Sequence, residues 1–410
     1  MQKRLKVLLS AYACESGKGS EPGVGWNWVN QIARFHDVWV ITRANNRESI
    51  ERENGGALSG VHWIYFDYPG WARFWKRGQR GVHLYYYLWQ IAVYFLARRL
   101  HNEIKFDVAH HLTLGVYWMP SFLSLLPMPF IHGPVGGAES APGAYHKCFT
   151  LRGKVHEWMR NAARRIGEKD PFVLMSIRRA ELVLAKVGET GDRVSVLGAK
   201  RVEVFPESGI GARDLEEFKK LGGEKSDRFV VISIGRLLHW KGFHMGLKAF
   251  SGFVREYPSS EYWFVGDGPE RRNLEIIARG LSIADKVRFF GELPRRETLK
   301  RLAESDTLVH PSLHDSGGWV CLEAMALGKP VLCLDLGGPG MQVTKETGFK
   351  LRAQSSRQTV SDLRDAMIRL AEDSELGRKM GEAARKRVSE SFDWDKKGEL
   401  INKIYQELVA

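Results

Sequence analysis

Three stretches in the second half of the chain hold residues whose types and spacing could do chemistry. ISIGRLLHWKG, residues 232–242, reads as a strand that ends at Gly235 and is followed by Arg236 and Lys241. Ligands of doubly wound parallel sheets bind outside the carboxyl ends of the strands. Two cations there would clamp a diphosphate, Arg236 through forked donors and Lys241 as a point charge, or simply stand as solvated loop charges. PSLHDSGGWVCLEAMALGKPV, residues 311–331, sets Asp315 and Glu323 apart by seven residues. Ser316, Gly317 and Gly318 lie between a strand end and a helix that begins near Trp319. Glycines at that place let backbone N–H groups approach an anion, and the helix N-terminus adds a favourable dipole. Asp315 is placed to reach a neutral polyol and Glu323 to hold the two hydroxyls of a ribose, as acids do in dinucleotide folds. The plainer alternative is an Asp N-cap and a surface Glu on an amphipathic helix. FVGDGPER, residues 264–271, is either a simple turn or a loop in which Gly268 backs the nucleotide.

The elements that must position these residues follow from short apolar runs alternating with helix-length amphipathic stretches. In the first half the runs lie at 6–12, 37–43, 61–67, 106–112, 129–135, 182–188 and 202–208; in the second at 228–236, 261–268, 286–293, 306–312 and 329–337. Continuous apolar runs separated in this way argue for parallel strands buried on both faces. Two such series predict an α/β chain with two doubly wound, Rossmann-like domains. The glycine-rich, charged segment 209–227 marks the break. The domains expected are therefore 1–208 and 209–390, with a helix at 391–410 that packs back on the first domain.

Composition narrows the function classes. Hydrophobic residues make up 44 % and charged residues 27 % of the 410, which excludes a disordered, collagenous or coiled-coil chain. The 61 Lys plus Arg exceed the 48 Asp plus Glu by 13, and residues 1–200 hold a net +11 of that excess. An anionic partner is implied on the first half. Cys14, Cys148, Cys321 and Cys333 have no metal-binding or disulfide-framework spacing. The apolar run near Met1 is too short for a signal-peptide core, and Tyr85 to Ala97 is too short to span a bilayer, so a soluble or peripheral protein is expected.

The three segments, in this order and spacing, resemble the C-terminal domain of retaining glycosyltransferases of family 4, the glycosyl transferases group 1, which have the GT-B fold. The pattern is carried by GRLLHWKG, VGDGPE and PSLHDSGGWVCLEAMALGKPV. The resemblance implies two Rossmann-like domains facing across a cleft and transfer of a sugar from a UDP- or GDP-linked donor with retention at the anomeric carbon. Arg236, Lys241, Asp315 and His132 would be catalytic. Arg236, Lys241, Gly268, Gly317, Gly318, Trp319 and Glu323 would bind the donor. SGKGSEPGVGWNW, 16–28, resembles the family's first glycine-rich loop, in which Gly23 and Gly25 would let the chain approach the ligands. PFIHGPVGG, 129–137, supplies His132 near the reacting sugar. The sequence departs from the family where Asp315 replaces Glu, Ser208 stands at an asparagine position, and Pro339-Gly340 replaces proline-glutamate. No DxD motif is present, so neither a metal nor another cofactor is expected. Two alternatives keep the fold and change the reaction, a phosphorylase and a nucleotide-sugar epimerase.

The first half mixes rings with cations at Trp71, Phe74, Trp75, Lys76, Arg77 and Arg80, and again from Arg152 to Lys169. Such mixtures suit an anionic membrane surface, and they also suit single-stranded nucleic acid. None of the usual nucleic-acid recognition motifs occurs, so a basic nucleic-acid-binding protein is the weaker, non-enzymatic alternative. The acceptor expected is a saccharide or a lipid-linked saccharide used in cell-surface polysaccharide or glycolipid synthesis. The expected place is cytoplasmic, peripheral at the inner face of the membrane.

Overall fold

The computed structural model describes residues 3–53, 60–76, 81–221 and 228–410. Arg77 and Arg80 of the basic, aromatic stretch, and residues 222–227 of the expected linker, lie outside the described residues. The chain divides into two units. The first comprises Met1–Ala138, Arg160–Glu207 and Trp394–Ala410; the second comprises Glu139–Met159 and Ser208–Asp393. The division between Glu207 and Ser208 falls one residue before the expected boundary. Glu139–Met159, which the sequence pattern assigns to the first domain, belongs to the second. Its apolar residues explain this, because Ala141, Tyr145 and Phe149 are part of the second unit's core.

The first unit is built on a seven-stranded sheet: β1 (Lys6–Ala11), β2 (Asp37–Thr42), β3 (Val61–Tyr65), β4 (Val108–Thr113), β5 (Phe130–Val135), β6 (Leu182–Ala185) and β7 (Val202–Val204). Their order is β3-β2-β1-β4-β5-β6-β7, and every pairing is parallel. The second unit has six strands: β8 (Val230–Ile234), β9 (Glu261–Val265), β10 (Val287–Gly291), β11 (Thr307–His310), β12 (Val331–Leu334) and β13 (Gly348–Leu351). They are ordered β10-β9-β8-β11-β12-β13, again all parallel. Each sheet reverses direction of winding once, between β1 and β4 in the first unit and between β8 and β11 in the second. Those reversals are the topological switch points at which ligands of such sheets bind.

The strands read as unbroken apolar runs because helices cover both faces. Along β8, Val231 points into one apolar cluster with Phe243, Phe250 and Leu332, while Val230, Ile232 and Ile234 point into another with Leu302, Cys321 and Met325. Burying one such side chain completely contributes roughly 1.5–3 kcal/mol. The helix Val82–Ile104 buries Tyr85, Tyr86, Trp89 and Val93, yet leaves Leu84 and Phe95 exposed. Among the described residues no helix is long and apolar enough to cross a membrane. The last helix, Trp394–Val409, packs on helix Ser20–Ala33 within the first unit, with the Trp28 and Trp394 rings 5.4 Å apart edge to face. Gly398 lets the two helices approach, because a Cβ there would collide with the Gln31 side chain.

Buried imidazoles make this core sensitive to acid. Burial pushes His132 and His244 down to about 4, and His110 to about 3 with the Gly133 carbonyl opposing it. These groups stay neutral in the folded state while the unfolded chain takes up protons near 6.5. Their contribution to stability is therefore whole above pH 6.5 and is lost as pH falls from 6.5 toward 4. Each forfeits up to ~3 kcal/mol over that span. Denaturant unfolding at pH 7 and pH 4.5 should give a much lower stability at pH 4.5, and His132→Leu should flatten the dependence. A pH-independent midpoint would contradict this reading.

Candidate active site

The site is built at the switch point of the second unit. β8 ends at Ile234, and the chain turns through Gly235 (φ 137°) into Arg236. Gly266 and Gly268 after β9 press against this turn: a Cβ on Gly266 would strike the Gly235 carbonyl, and one on Gly268 would meet Leu237. The Leu237 N–H donates to the Asp267 carbonyl (2.9 Å), and the Glu270 N–H donates to the Leu237 carbonyl (3.0 Å). Gly268 thus holds the Arg236 turn in place by backbone packing. The Arg236 side chain is exposed and makes no hydrogen bond or ion pair among the described residues.

The chain then forms a single 3-10 turn, His239–Lys241, and enters helix Phe243–Glu256 through Gly242 (φ 69°). A Cβ at Gly242 would collide with the Pro311 carbonyl, and the Leu313 N–H donates to the Trp240 carbonyl (2.8 Å). These contacts set the loop after β8 beside the loop after β11, and bring Lys241 and Asp315 together although 73 residues lie between them in the chain.

Lys241 Nζ donates to Asp315 Oδ2. His310 Nε2 lies 3.0 Å from the same oxygen, and the Gly318 N–H donates to Oδ1 (3.2 Å). Burial opposes charge on Asp315, but Lys241 and His310 overcome it and hold the carboxyl well below the usual carboxylate range. A carboxylate offers about four acceptor positions, and three are taken here. The ammonium of Lys241 has three donors and spends one on Asp315, which leaves two for another anion. The sequence pattern placed Asp315 against a polyol; the structure makes it first the group that orients Lys241. Burial, and then the Lys241 charge, lower the His310 value, with Asp315 opposing.

Gly317, Gly318 and Trp319 lie where the sequence placed them, at the start of helix Trp319–Ala326. Gly318 has φ 56°, and a Cβ there would crowd Gln342 and Pro339. The Gly317 carbonyl accepts from Gln342 Nε2 (2.6 Å) and Ser208 Oγ (3.3 Å). Gly337 and Gly338, just before the Pro339-Gly340 departure, lie against the backbone of Asp315 and Ser316, where a Cβ would collide, and a Cβ on Gly340 would crowd Asp335. Glu323 is half-buried on its helix, and its Oε1 accepts from Arg295 Nη2 (3.1 Å), while Arg295 Nη1 donates to Asp214 Oδ1 (3.1 Å). Burial raises the Glu323 value, and Arg295 opposes that rise. The ribose role expected of Glu323 thus begins from a carboxylate that already has a guanidinium partner.

The other predicted residues, Gly23, Gly25 and His132, belong to the first unit. Gly23 and Gly25 lie in the helix Ser20–Ala33 and not in a loop, because the helix starts at Ser20, earlier than the glycine-rich sequence suggests. The close approach that Gly25 permits is to the protein itself, since a Cβ there would collide with the Ala13 carbonyl and Thr113. His132 is on β5, only 1 % exposed, edge-on to the His111 ring at 5.1 Å. Its Nδ1 has no hydrogen-bond partner among the described residues.

Comparison with known proteins bears on this geometry. Residues 214–387 match the model of glycosyl transferases group 1, a span that carries Arg236, Lys241, Asp315 and Glu323. Residues 214–387 are a glycosyl transferases group 1 domain. Over 198 residues, 48 % of the chain, the protein is 31 % identical to N-acetyl-alpha-D-glucosaminyl L-malate synthase of Bacillus anthracis, of which the match covers 50 %. Over 171 residues, 41 % of the chain, it is 34 % identical to the lipopolysaccharide core biosynthesis glycosyltransferase LpsE of Rhizobium meliloti, of which it covers 48 %. The chain thus spans about half the length of the curated relatives it matches. Among solved structures, Anabaena HepE in complex with UDP and glucose is 19 % identical, with 99 % of this chain and 100 % of that one covered at a TM-score of 0.65. That likeness, with two parallel-sheet Rossmann-like units, makes the fold GT-B. In the group 1 domain, sequence reasoning found Arg236, Lys241, Asp315 and Glu323. It missed His310, Arg295 and Asp214. His310 had one signal, a histidine at the end of an apolar run; Arg295 and Asp214 had none, since their roles arise only from packing.

Proposed function

We propose that this protein is a retaining, family 4 glycosyltransferase that moves a sugar from a UDP- or GDP-linked donor to a saccharide or lipid-linked acceptor in cell-surface polysaccharide or glycolipid synthesis. The observation that carries the reading is the meeting of Lys241 and Asp315 at the switch point of a group 1 domain, with Arg236 exposed on the same loop as Lys241 and with Lys241 left two donors. Arg236 and Lys241 neutralise the diphosphate as it leaves, which stabilises the charge that develops in the transition state. The N-terminus of helix Trp319–Ala326, reached through Gly317 and Gly318, adds its dipole on the same side. Glu323 holds the ribose, and His132 serves the reacting sugar. With two cations and a helix dipole assigned to the phosphates, turnover is expected to need no metal, and chelation with EDTA is expected to leave the rate unchanged; loss of activity on chelation would contradict this.

The name of LpsE supports a cell-surface product, and the HepE complex supports a UDP-linked donor. Peripheral contact with an anionic membrane, at the inner face in the cytoplasm, is supported by exposed rings beside cations. Trp71 is 79 % and Trp158 is 71 % exposed, with Phe74, Met159 and Ile166 also exposed and with Arg152 and Lys154 near Trp158 in the chain.

A thermal-shift screen of nucleotides and nucleotide sugars tests the reading. A ligand that binds only the folded state at 100 times its Kd adds about 2.7 kcal/mol of stability. One base and one sugar are expected to raise Tm by several degrees, with the nucleoside diphosphate nearly as effective. No shift with any nucleoside diphosphate or nucleotide sugar would remove the reading.

A further inference from the structure

The carboxyl ends of β1, β2 and β3 carry a second group of charges that the donor chemistry does not use. Tyr12 follows β1, Arg43 follows β2, and Asp67 comes two residues after β3, on three neighbouring strands. Asp67 is buried at the centre. Its Oδ1 accepts from Arg43 Nε (3.0 Å) and from the Tyr85 hydroxyl, and its Oδ2 accepts from the Ala44 N–H (3.2 Å). Arg73 Nη1 lies 3.7 Å from Oδ2. The Arg43 guanidinium lies over the Tyr12 and Tyr85 rings, at 5.1 and 5.5 Å from their centroids, and the Lys76 ammonium lies 4.9 Å from the Tyr85 centroid.

Counting charges gives three cations, Arg43, Arg73 and Lys76, around one carboxylate. Lys76 makes no ion pair among the described residues, and the charges acting on it are Arg43, Asp67 and Arg73. Loss of water, and then Arg43, lower the Lys76 value, so its ammonium is held partly desolvated beside a second cation. A buried carboxylate with a single guanidinium would be a structural ion pair. Arg73 beside the same acid and Lys76 over the Tyr85 ring leave a local surplus of +2, on a sheet edge where such folds bind ligands. The rings of Tyr85 and Trp75, 6.2 Å apart, wall the group, and Tyr85 is fixed by its bond to Asp67.

We propose that this cluster is an anion subsite for the acceptor, and that the acceptor carries a phosphate group. A phosphate monoester has a charge of about −1.5 to −2 near neutral pH, which matches the surplus. Arg73 supplies a planar fork for two phosphate oxygens, and Lys76 a point charge for the third. Arg43, already bound to Asp67, sets the register of the site without giving up that bond. The phosphate belongs either to a soluble phosphorylated sugar or to a lipid phosphate, since the recognising chemistry is the same. Only the word acceptor rests on the glycosyltransferase reading; the phosphate site stands or falls without it.

The test uses the full chain and two probes, glucose 6-phosphate by calorimetry and vesicles of phosphatidylcholine with or without phosphatidic acid by co-sedimentation. The variants are Arg73→Gln/Lys76→Gln, which spares the Arg43–Asp67 pair, and Arg236→Ala, which removes a cation from the other unit. Glucose 6-phosphate or phosphatidic acid is expected to bind the native chain, and the double variant to bind it about tenfold more weakly or worse, as loss of charge-assisted bonds implies. Arg236→Ala is expected to bind it as the native chain does. The sugar phosphate acting assigns a soluble acceptor, and phosphatidic acid alone acting assigns a lipid one. Neither probe binding, equal binding by the double variant, or loss of binding in Arg236→Ala would overturn the proposal.

Discussion

Lys241→Ala is expected to lose both turnover and stability. The turnover loss follows from removing one of two cations on the leaving diphosphate, on the order of 10²–10³. The stability loss follows from the partners of Asp315. With Lys241 gone, the half-buried carboxylate keeps only His310 and the Gly318 N–H. Removing one partner of a fully buried ion pair costs about 3–5 kcal/mol; here both side chains keep some exposure (17 % and 18 %), so water screens the remaining charge and the loss falls below that range. Adding Asp315→Asn to Lys241→Ala removes that charge and should restore part of the stability, while turnover stays low. Chemical unfolding and donor consumption on the same two proteins separate the effects. A Lys241→Ala protein as stable as the native chain would mean that the pair does not support the fold, and near-native donor consumption would remove Lys241 from the site.

Arg236→Ala is expected to behave differently. Arg236 is exposed and has no partner among the described residues, so its removal leaves no orphaned charge and should change stability by no more than ~0.5 kcal/mol. Its role under the proposed function is confined to the donor, and turnover should fall on the order of 10²–10³. The contrast matters more than either number. Lys241 serves the fold and the proposed chemistry together, whereas Arg236 serves only the chemistry. A Tm shift as large as that of Lys241→Ala, or turnover near that of the native chain, would contradict this assignment.

The strands were legible from sequence because both faces of each sheet are covered, which turns a strand into an unbroken apolar run. All twelve runs found in the sequence coincide with β1 to β12. β13, GFKL, was not legible: it is short, half-buried and at the sheet edge, so its residues carry no continuous apolar signal. The placement of Glu139–Met159 was not legible either, since its aromatic residues read the same whichever core they fill. Arg236, Lys241, Asp315 and Glu323 could be named because loop motifs at strand ends are local in sequence. Their partners could not. Arg295 reaches Glu323 from a separate helix, so that pair depends on tertiary packing alone, and His310 reaches Asp315, five residues on, across a loop whose fold the sequence does not specify. Gly25 shows the opposite error: a glycine placed for a ligand is needed for the helix to pass over Ala13 and Thr113.

The meeting of the two loops also explains why the glycines of this domain are dense. Gly242, Gly266, Gly268, Gly318 and Gly337 all have positive φ and all face a close neighbour. Either feature alone excludes most side chains. Together they lock the turns that carry Arg236, Lys241 and Asp315, and so hold the cations before any ligand arrives.

Calorimetric titration of the native chain and of Arg236→Ala with UDP and with GDP tests the central claim most directly, because Arg236 can be removed without disturbing the fold. The account predicts that one of the two nucleotides binds the native chain with a stoichiometry of one, and that Arg236→Ala binds it about tenfold more weakly or worse, as the loss of a charge-assisted phosphate contact implies. Failure of both nucleotides to bind the native chain, or equal affinity in the two proteins, would contradict it.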